Sequence, residues 1–233
     1  MRFFIMKKHF VFILLCFMVT FVSAQNQTIL TAGNFFKSVS EYYATIKDYE
    51  ASFSINASGT KMSGKVSFKA PNLLRMDFDD PTDQVIVFSD NRLLMYLPLS
   101  NATFIQEVEK DSSGSAAEAG NLATPQGLYL MNRYYFIAYE KGQSPEPLTE
   151  DSDENVVKLI LSRKTVAEGF KTINLAINPE TLLIRYIKAV TTDDRIFEFS
   201  FTGYILNTNI PDVRFVYDSP SDSNNYYNFL YTE

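Results

Sequence analysis

The side chains that most often carry enzyme chemistry are nearly absent from this chain. It has one Cys and one His, Cys16 and His9, and both lie within the first 24 residues. A Ser-His-Asp or Cys-His site needs an imidazole beside its nucleophile, so neither is expected in the rest of the chain. Zinc sites built on thiolate or imidazole are excluded there for the same reason. The spacings G-x-x-x-x-G-K-[ST], G-x-G-x-x-G and G-x-S-x-G do not occur, so no phosphate loop or nucleophile elbow is expected. Carboxylates are plentiful, with 27 Asp and Glu. Asp151, Asp153 and Glu154 crowd into residues 142–155, but the run lacks the central Gly and distal Glu of a calcium loop. It reads as a solvated acidic turn. A glycosidase pair needs two acids about 5–10 Å apart, and no spacing here singles out such a pair. Trp, common in sugar clefts, is absent. The expectation is therefore no enzyme, no cofactor and no metal.

What the chain has in surplus is apolar surface: 20 Phe, 14 Tyr and 46% hydrophobic residues overall. Burying an alkyl chain is worth about 0.8 kcal/mol per methylene. A wall of Phe and Met would hold such a ligand without directed hydrogen bonds, because both adapt to many ligand conformers.

The elements that would position such a wall are mostly strands. Residues 61–101 read as four strands, separated by turns at Ala70-Pro71-Asn72, Asp79-Asp80-Pro81 and Ser89-Asp90-Asn91. Val66 and Phe68 share one face of the first. Leu74, Met76 and Phe78 share one face of the second, with Arg75 and Asp77 on the other, where they should reach solvent. Residues 85–88 and 93–97 are apolar on both faces, so something must cover both sides of the sheet there. Residues 49–58 and 61–69 form a hairpin about Gly59, and 103–109 a further strand. After a polar loop at 110–121, strands are expected at 156–161, 170–177, 182–190, 196–201 and 213–217. The tail from Ser219 is expected to fray.

Two helices interrupt this pattern. Residues 31–47 place Phe35, Val39, Tyr42, Tyr43 and Ile46 on one face, with Thr31 as N-cap. Thr124-Pro125 is a helix start, and the run to Tyr139 is apolar nearly all round.

Residues 1–24 read as a secretory leader. Arg2, Lys7 and Lys8 make its basic end, residues 10–21 its apolar run, and Val22-Ser23-Ala24 its cleavage site. The run is too short to span a bilayer. Residues 25–233 form a single domain, stabilised by core packing in place of disulfides. The net charge of −6 argues against nucleic acid as a partner and against tight binding to anionic membranes.

Several short stretches together carry a resemblance. They are Lys69-Ala70-Pro71-Asn72-Leu73-Leu74-Arg75-Met76, Pro81, Val85-Ile86-Val87-x-x-Asp90, Tyr96-x-Pro98, Thr124-Pro125 and Ile210-Pro211-x-x-x-Phe215-x-x-x-x-Pro220. This pattern resembles the periplasmic outer-membrane lipoprotein carrier protein (LolA) family. The resemblance implies a mainly β fold with an α lid (α+β): an incomplete antiparallel β-barrel, or half-barrel, covered by helices and enclosing a hydrophobic cavity. Phe53, Phe68, Leu74, Met76, Phe78 and Tyr96 would line that cavity, and Phe35, Val39, Leu128 and Met131 would belong to the lid. Ala70 stands where the family has an arginine that hydrogen-bonds the closed lid.

The implied function is that of a periplasmic chaperone that binds lipoprotein acyl chains and carries lipoproteins from the inner to the outer membrane. Its implied partners are lipoproteins, an inner-membrane lipoprotein-releasing transporter and an outer-membrane acceptor. Contact with the membrane proteins would be transient, and the carrier a monomer. The alternative is a fold relative that binds another lipid or glycolipid, as a carrier or as an envelope lipid sensor. A purely structural envelope protein is a third reading. N-terminal sequencing of the exported protein should find Gln25 first; Met1, or a lipid on Cys16, would contradict the soluble-carrier reading.

Overall fold

The computed structural model describes residues 30–89, 91–107 and 124–229. The leader expected at 1–24, the polar loop expected at 110–121 and Asp90 lie outside these residues. Helix α1 (Ala32–Thr45) comes first. The Thr31 hydroxyl accepts from the Asn34 N–H at 3.2 Å, satisfying one donor that the first turn leaves without a partner. Phe35, Phe36, Val39 and Tyr43 recur at helical spacing and are buried.

Six strands follow: β1 (Asp48–Ala57), β2 (Thr60–Lys69), β3 (Leu73–Asp80), β4 (Val85–Ser89), β5 (Arg92–Leu97) and β6 (Ala102–Glu107). Each pairs antiparallel with the next. Ser58 and Gly59 both take positive φ in the β1–β2 turn, and Asn91 does so between β4 and β5. These left-handed conformations match the twist of tight hairpins. The second half contains α2 (Pro125–Tyr134), β7 (Tyr135–Tyr139), β8 (Glu146–Pro147), β9 (Asn155–Arg163), β10 (Phe170–Ile177), β11 (Ile184–Thr191), β12 (Ile196–Leu206) and β13 (Asn224–Tyr227).

The thirteen strands of the described residues join one sheet in the order β13-β6-β5-β4-β3-β2-β1-β12-β11-β10-β9-β7, with β8 attached to β9. The two ends of this path, β13 and β7, are not neighbours, so the sheet is unclosed. Among the described residues the fold is mainly β, an open, largely antiparallel sheet with two helices packed on one face. We call that face inner.

Three elements differ from the sequence expectations. The second helix stops at Tyr134 and does not reach Tyr139. Residues 135–139 instead pair with β9, Tyr135 opposite Arg163 and Tyr139 opposite Leu159. Aromatic and β-branched residues suit a pleated edge better than another helical turn. Residues 213–217 do not form a strand. Asp212–Phe215 is a 3-10 turn that buries Phe215. The tail does not fray at Ser219: Asn224–Tyr227 lies parallel to β6. The Asn224 N–H donates to the Asn101 carbonyl and the Asn228 N–H to that of Ile105, each at 2.9 Å. These bonds satisfy edge groups on β6 that would otherwise face water.

The core between α1 and the sheet contains the buried tyrosines Tyr43 and Tyr49, with the partly buried Tyr204 packed against them. The Tyr43 hydroxyl accepts from the Ile184 N–H at 3.0 Å. The Tyr204 hydroxyl donates to the Ile184 carbonyl at 2.9 Å. Both backbone groups of Ile184 thus meet side chains, and α1 is tied to β11 and β12. Burial pushes the Tyr43 phenol up to about 12, against the opposing effect of its hydrogen bonds.

Folding therefore favours the neutral phenol, and the stability that Tyr43 contributes is complete below its ordinary value of about 10. It is lost as pH rises toward 12. Stability measured by urea unfolding should fall above pH 10. In Tyr43→Phe that fall should be smaller, while stability at pH 7 drops by about 1–3 kcal/mol because the Ile184 N–H loses its partner.

Candidate functional site

Strand register determines which side chains share the inner face. Paired residues across neighbouring strands point the same way. One row runs Tyr49, Phe68, Leu74, Phe88 and Leu93; the next runs Ala51, Val66, Met76, Ile86, Met95 and Phe104. Phe53, Gly64 and Phe78 form a third.

Five of the six expected cavity residues, Phe53, Phe68, Leu74, Met76 and Phe78, lie on this face and are buried. The expected lid residues Phe35, Val39, Leu128 and Met131 belong to the same packed cluster. The Phe53 and Phe78 rings meet edge to face, with centroids 5.0 Å apart. Phe68 stacks on Tyr49 at 5.2 Å. Gly64 lies between the strands that carry Phe53 and Phe78. A Cβ there would come within 2.1 Å of the Asp77 carbonyl oxygen, so only glycine permits this approach of backbones.

Tyr96 lies elsewhere. It pairs with Val85, which pairs with Asp77, so all three face outward. Its ring is 6.1 Å from that of Tyr217. The sequence expectation groups Tyr96 with Met76 on the cavity wall, but the register across β4 sends it to the opposite face.

The same two inner rows continue beyond β3 under thinner cover. Ile86, Phe88, Leu93, Met95 and Phe104 are only partly buried. They make an apolar floor across β4–β6, continuous with the covered core. The sequence alone singles out none of them as binding residues. Residues 85–88 and 93–97 are apolar on both faces, so alternation cannot label a face. Counting outward from the β4–β5 turn at Asn91 would do so.

The outer face of the same strands is also covered. Strand alternation alone puts Arg75 and Asp77 in solvent, yet their side chains are 16% and 32% exposed. Arg75 Nε donates to Asp77 Oδ1 at 2.9 Å. Arg75 Nη1 donates to the carbonyls of Arg214 and Val216 at 3.2 and 3.1 Å. The Arg75 guanidinium also lies 5.4 Å from the Tyr217 ring centre, within cation–π range. Arg214 bridges to Asp77 from the other side. Burial pushes the Asp77 carboxyl up, but the hydrogen bonds from Arg75 and Arg214 outweigh it and hold the group below its usual range.

Residues 208–217 thus form a strap across the outer face. The Asp48 carboxylate accepts from the N–H groups of Thr208 and Asn209 at 2.8 and 3.1 Å. Lys69 Nζ donates to the Ile210 carbonyl at 2.7 Å and pairs with Asp212. Ala70 lies next to this contact, and its N–H donates to the Lys47 carbonyl at 2.8 Å.

A separate hollow of about 460 Å³ opens on the face away from the helices, lined in part by Leu148, Lys158, Asn174, Tyr186, Lys188 and Ser200. Leu148, Leu175 and Ala176 add apolar surface there, but a hydrocarbon chain in it would also lie against Lys158, Asn174 and Lys188.

The two parts of the inner face should respond differently to truncation. Met76, 8% exposed, belongs to the packed core, and Met76→Ala should cost about 2–5 kcal/mol. Met95 has fewer fixed partners, and Met95→Ala should cost about 1 kcal/mol or less. Chemical denaturation of the two variants checks the contrast; equal losses would mean that both belong to one packed core.

Comparison with known proteins bears on the same region. Residues 45–119 match the family model of outer membrane lipoprotein carrier protein LolA. No curated protein matches the chain significantly. Among solved structures, the fold is similar to that of an uncharacterized conserved protein from Thermus thermophilus. The TM-score is 0.52 at 14% identity, over 82% of this chain and 96% of that one. At that identity the likeness speaks for the fold alone. The MucA/MucB complex of Pseudomonas aeruginosa matches at TM-score 0.49 and 11% identity, over 80% of this chain and 61% of that chain. The Mycobacterium tuberculosis lipoprotein LppX matches at TM-score 0.47 and 9% identity, over 77% of this chain and 97% of that one. The matched stretch contains β1 to β6, and with them the whole apolar floor.

Proposed function

We propose that this protein is a lipoprotein carrier of the cell envelope. The observation that carries the reading is the partly open apolar floor of Ile86, Phe88, Leu93, Met95 and Phe104, inside the segment that matches the carrier family. The acyl chains of a lipoprotein would lie on this floor and extend toward the covered rows at Leu74 and Met76. Each methylene buried would contribute about 0.8 kcal/mol, so a few chains suffice for strong binding. The work is binding and release, without a covalent step. Helices α1 and α2, through Phe35, Val39, Leu128 and Met131, would act as the lid that yields when a ligand enters deeper.

In this reading the protein works in the periplasm as a monomer. It receives cargo from an inner-membrane transporter and delivers it to an outer-membrane acceptor. Ala70 cannot supply the hydrogen bond of the family arginine, so closure here would rest on apolar contact between the helices and β1–β3.

The test is a photo-crosslinking amino acid placed singly in cells. Inner positions are Ile86, Met95 and Phe104; outer positions are Val85, Tyr96 and Ile105. Lipoprotein adducts are expected from the inner set only. Equal adducts from both sets, or none from either, would overturn the reading. Mass spectrometry of co-purifying molecules should find acylated peptides; free glycolipid in their place would support a lipid carrier of another kind.

A further inference from the structure

We propose that the C-terminal strand β13 is a built-in competitor for the apolar floor, which it must leave for the floor to be fully occupied. The inference rests on the carrier reading above and adds a regulation of the same site. Tyr226 pairs in register with Phe104, so its ring falls on the inner face. The two rings stack with centroids 5.1 Å apart and planes at 19°. Phe229 meets Phe104 from another side, 5.3 Å away at 75°. Two aromatic rings from the end of the chain therefore sit on the last residue of the row Met76, Ile86, Met95, Phe104. They occupy surface that an acyl chain would use.

The way the C-terminal segment is held divides it into a fixed part and a detachable part. The fixed part is the strap, held by Asp48, Lys69, Arg75 and the Arg214–Asp77 pair, with Ile210 and Phe215 buried. The detachable part is β13, whose four residues are all exposed. It is held by a short parallel ladder, by Asn101 Nδ2 donating to the Asp222 carbonyl at 2.9 Å, and by the Thr103–Ser223 hydroxyl contact at 3.0 Å. Short, solvent-exposed hydrogen-bonded segments open first, well below the free energy of global unfolding. Peeling β13 away would uncover Phe104 and leave the strap and core in place. Ligand affinity is then reduced by the fraction of molecules in which β13 is closed.

The test uses the full chain and a pyrene-labelled hexadecanoic acid as probe, read by fluorescence titration. Tyr226→Ser with Phe229→Ser should bind the probe at least about fivefold more tightly than the unaltered chain, because the closed fraction falls. A second variant holds the strand down: Ile105→Cys with Tyr227→Cys, register partners on the outer face, in a Cys16→Ser background. Oxidised, it should bind at least about fivefold more weakly, and reduction should restore binding. Unchanged affinity in both variants would overturn the inference. So would weaker binding by the serine variant, since the two rings would then be part of the ligand's own contact surface. If the unaltered chain and both variants all fail to bind the probe, the carrier reading itself fails and takes this inference with it.

Discussion

Among the described residues, one apolar face of a wide sheet is covered by helices too narrow to span it, and the rest of the structure depends on that. Twelve strands in a continuous path, about 4.8 Å apart, span roughly 50 Å of arc. Each helix is about 10 Å across, so two side by side cover only about 20 Å. The helices lie over the rows that begin at Phe53, Tyr49 and Ala51, and over β9–β11. There the inner face becomes an ordinary close-packed core. Across β4–β6 the same rows continue, still apolar but only partly buried. A sheet that exposes such a surface does so for a ligand or a partner more often than by accident. The floor is therefore a consequence of where the helices end, with no special site chemistry.

Leaving part of the inner face open requires that those strands be held by something else. The strap does this from behind. Arg75 is the hub of that contact. It binds Asp77 on its own strand and two strap carbonyls, and it lies against the Tyr217 ring. An exposed ion pair contributes little. This cluster is half-buried, and its guanidinium and carboxylate groups meet several partners, so it serves chiefly to fix the position of the segment. Asp48 does the same at the start of the strap, using one carboxylate to receive two successive N–H groups. With both faces of β4 and β5 considered, the outer one is closed by the strap and the inner one stays only partly covered among the described residues. That division accounts for strands that are apolar on both sides.

The two ends of the sheet path are treated differently. At β7 the edge lies beside the helices and belongs to the core cluster through Tyr135. At β6 the edge is met by four exposed residues from the far end of the sequence. In the carrier reading proposed above, the protein needs a stable scaffold and a surface that can change its cover at small cost. Packing of the first kind resists change, because close-packed interiors do not deform smoothly. A short, exposed parallel strand can move without disturbing it.

Much of this was legible in the sequence. The Thr31 and Thr124-Pro125 starts, the Gly59 and Asn91 turns and the alternation of Leu74, Met76 and Phe78 are local signals, each set by backbone or side-chain preferences within a few residues. They determined a strand meander with two helices and an apolar face. What they could not determine was anything set by pairing at long range. Tyr96 and Met95 are neighbours with equally apolar surroundings, and only the register across β4 assigns one to the outer face and the other to the floor. Tyr135–Tyr139 has the composition of either a helix or an edge strand, and pairing with β9 decides it. The tail from Ser219 is polar and looks unstructured alone; it becomes a strand because β6 presents an unpaired edge. The open floor itself is decided only in three dimensions, since it depends on how far two helices reach across a sheet.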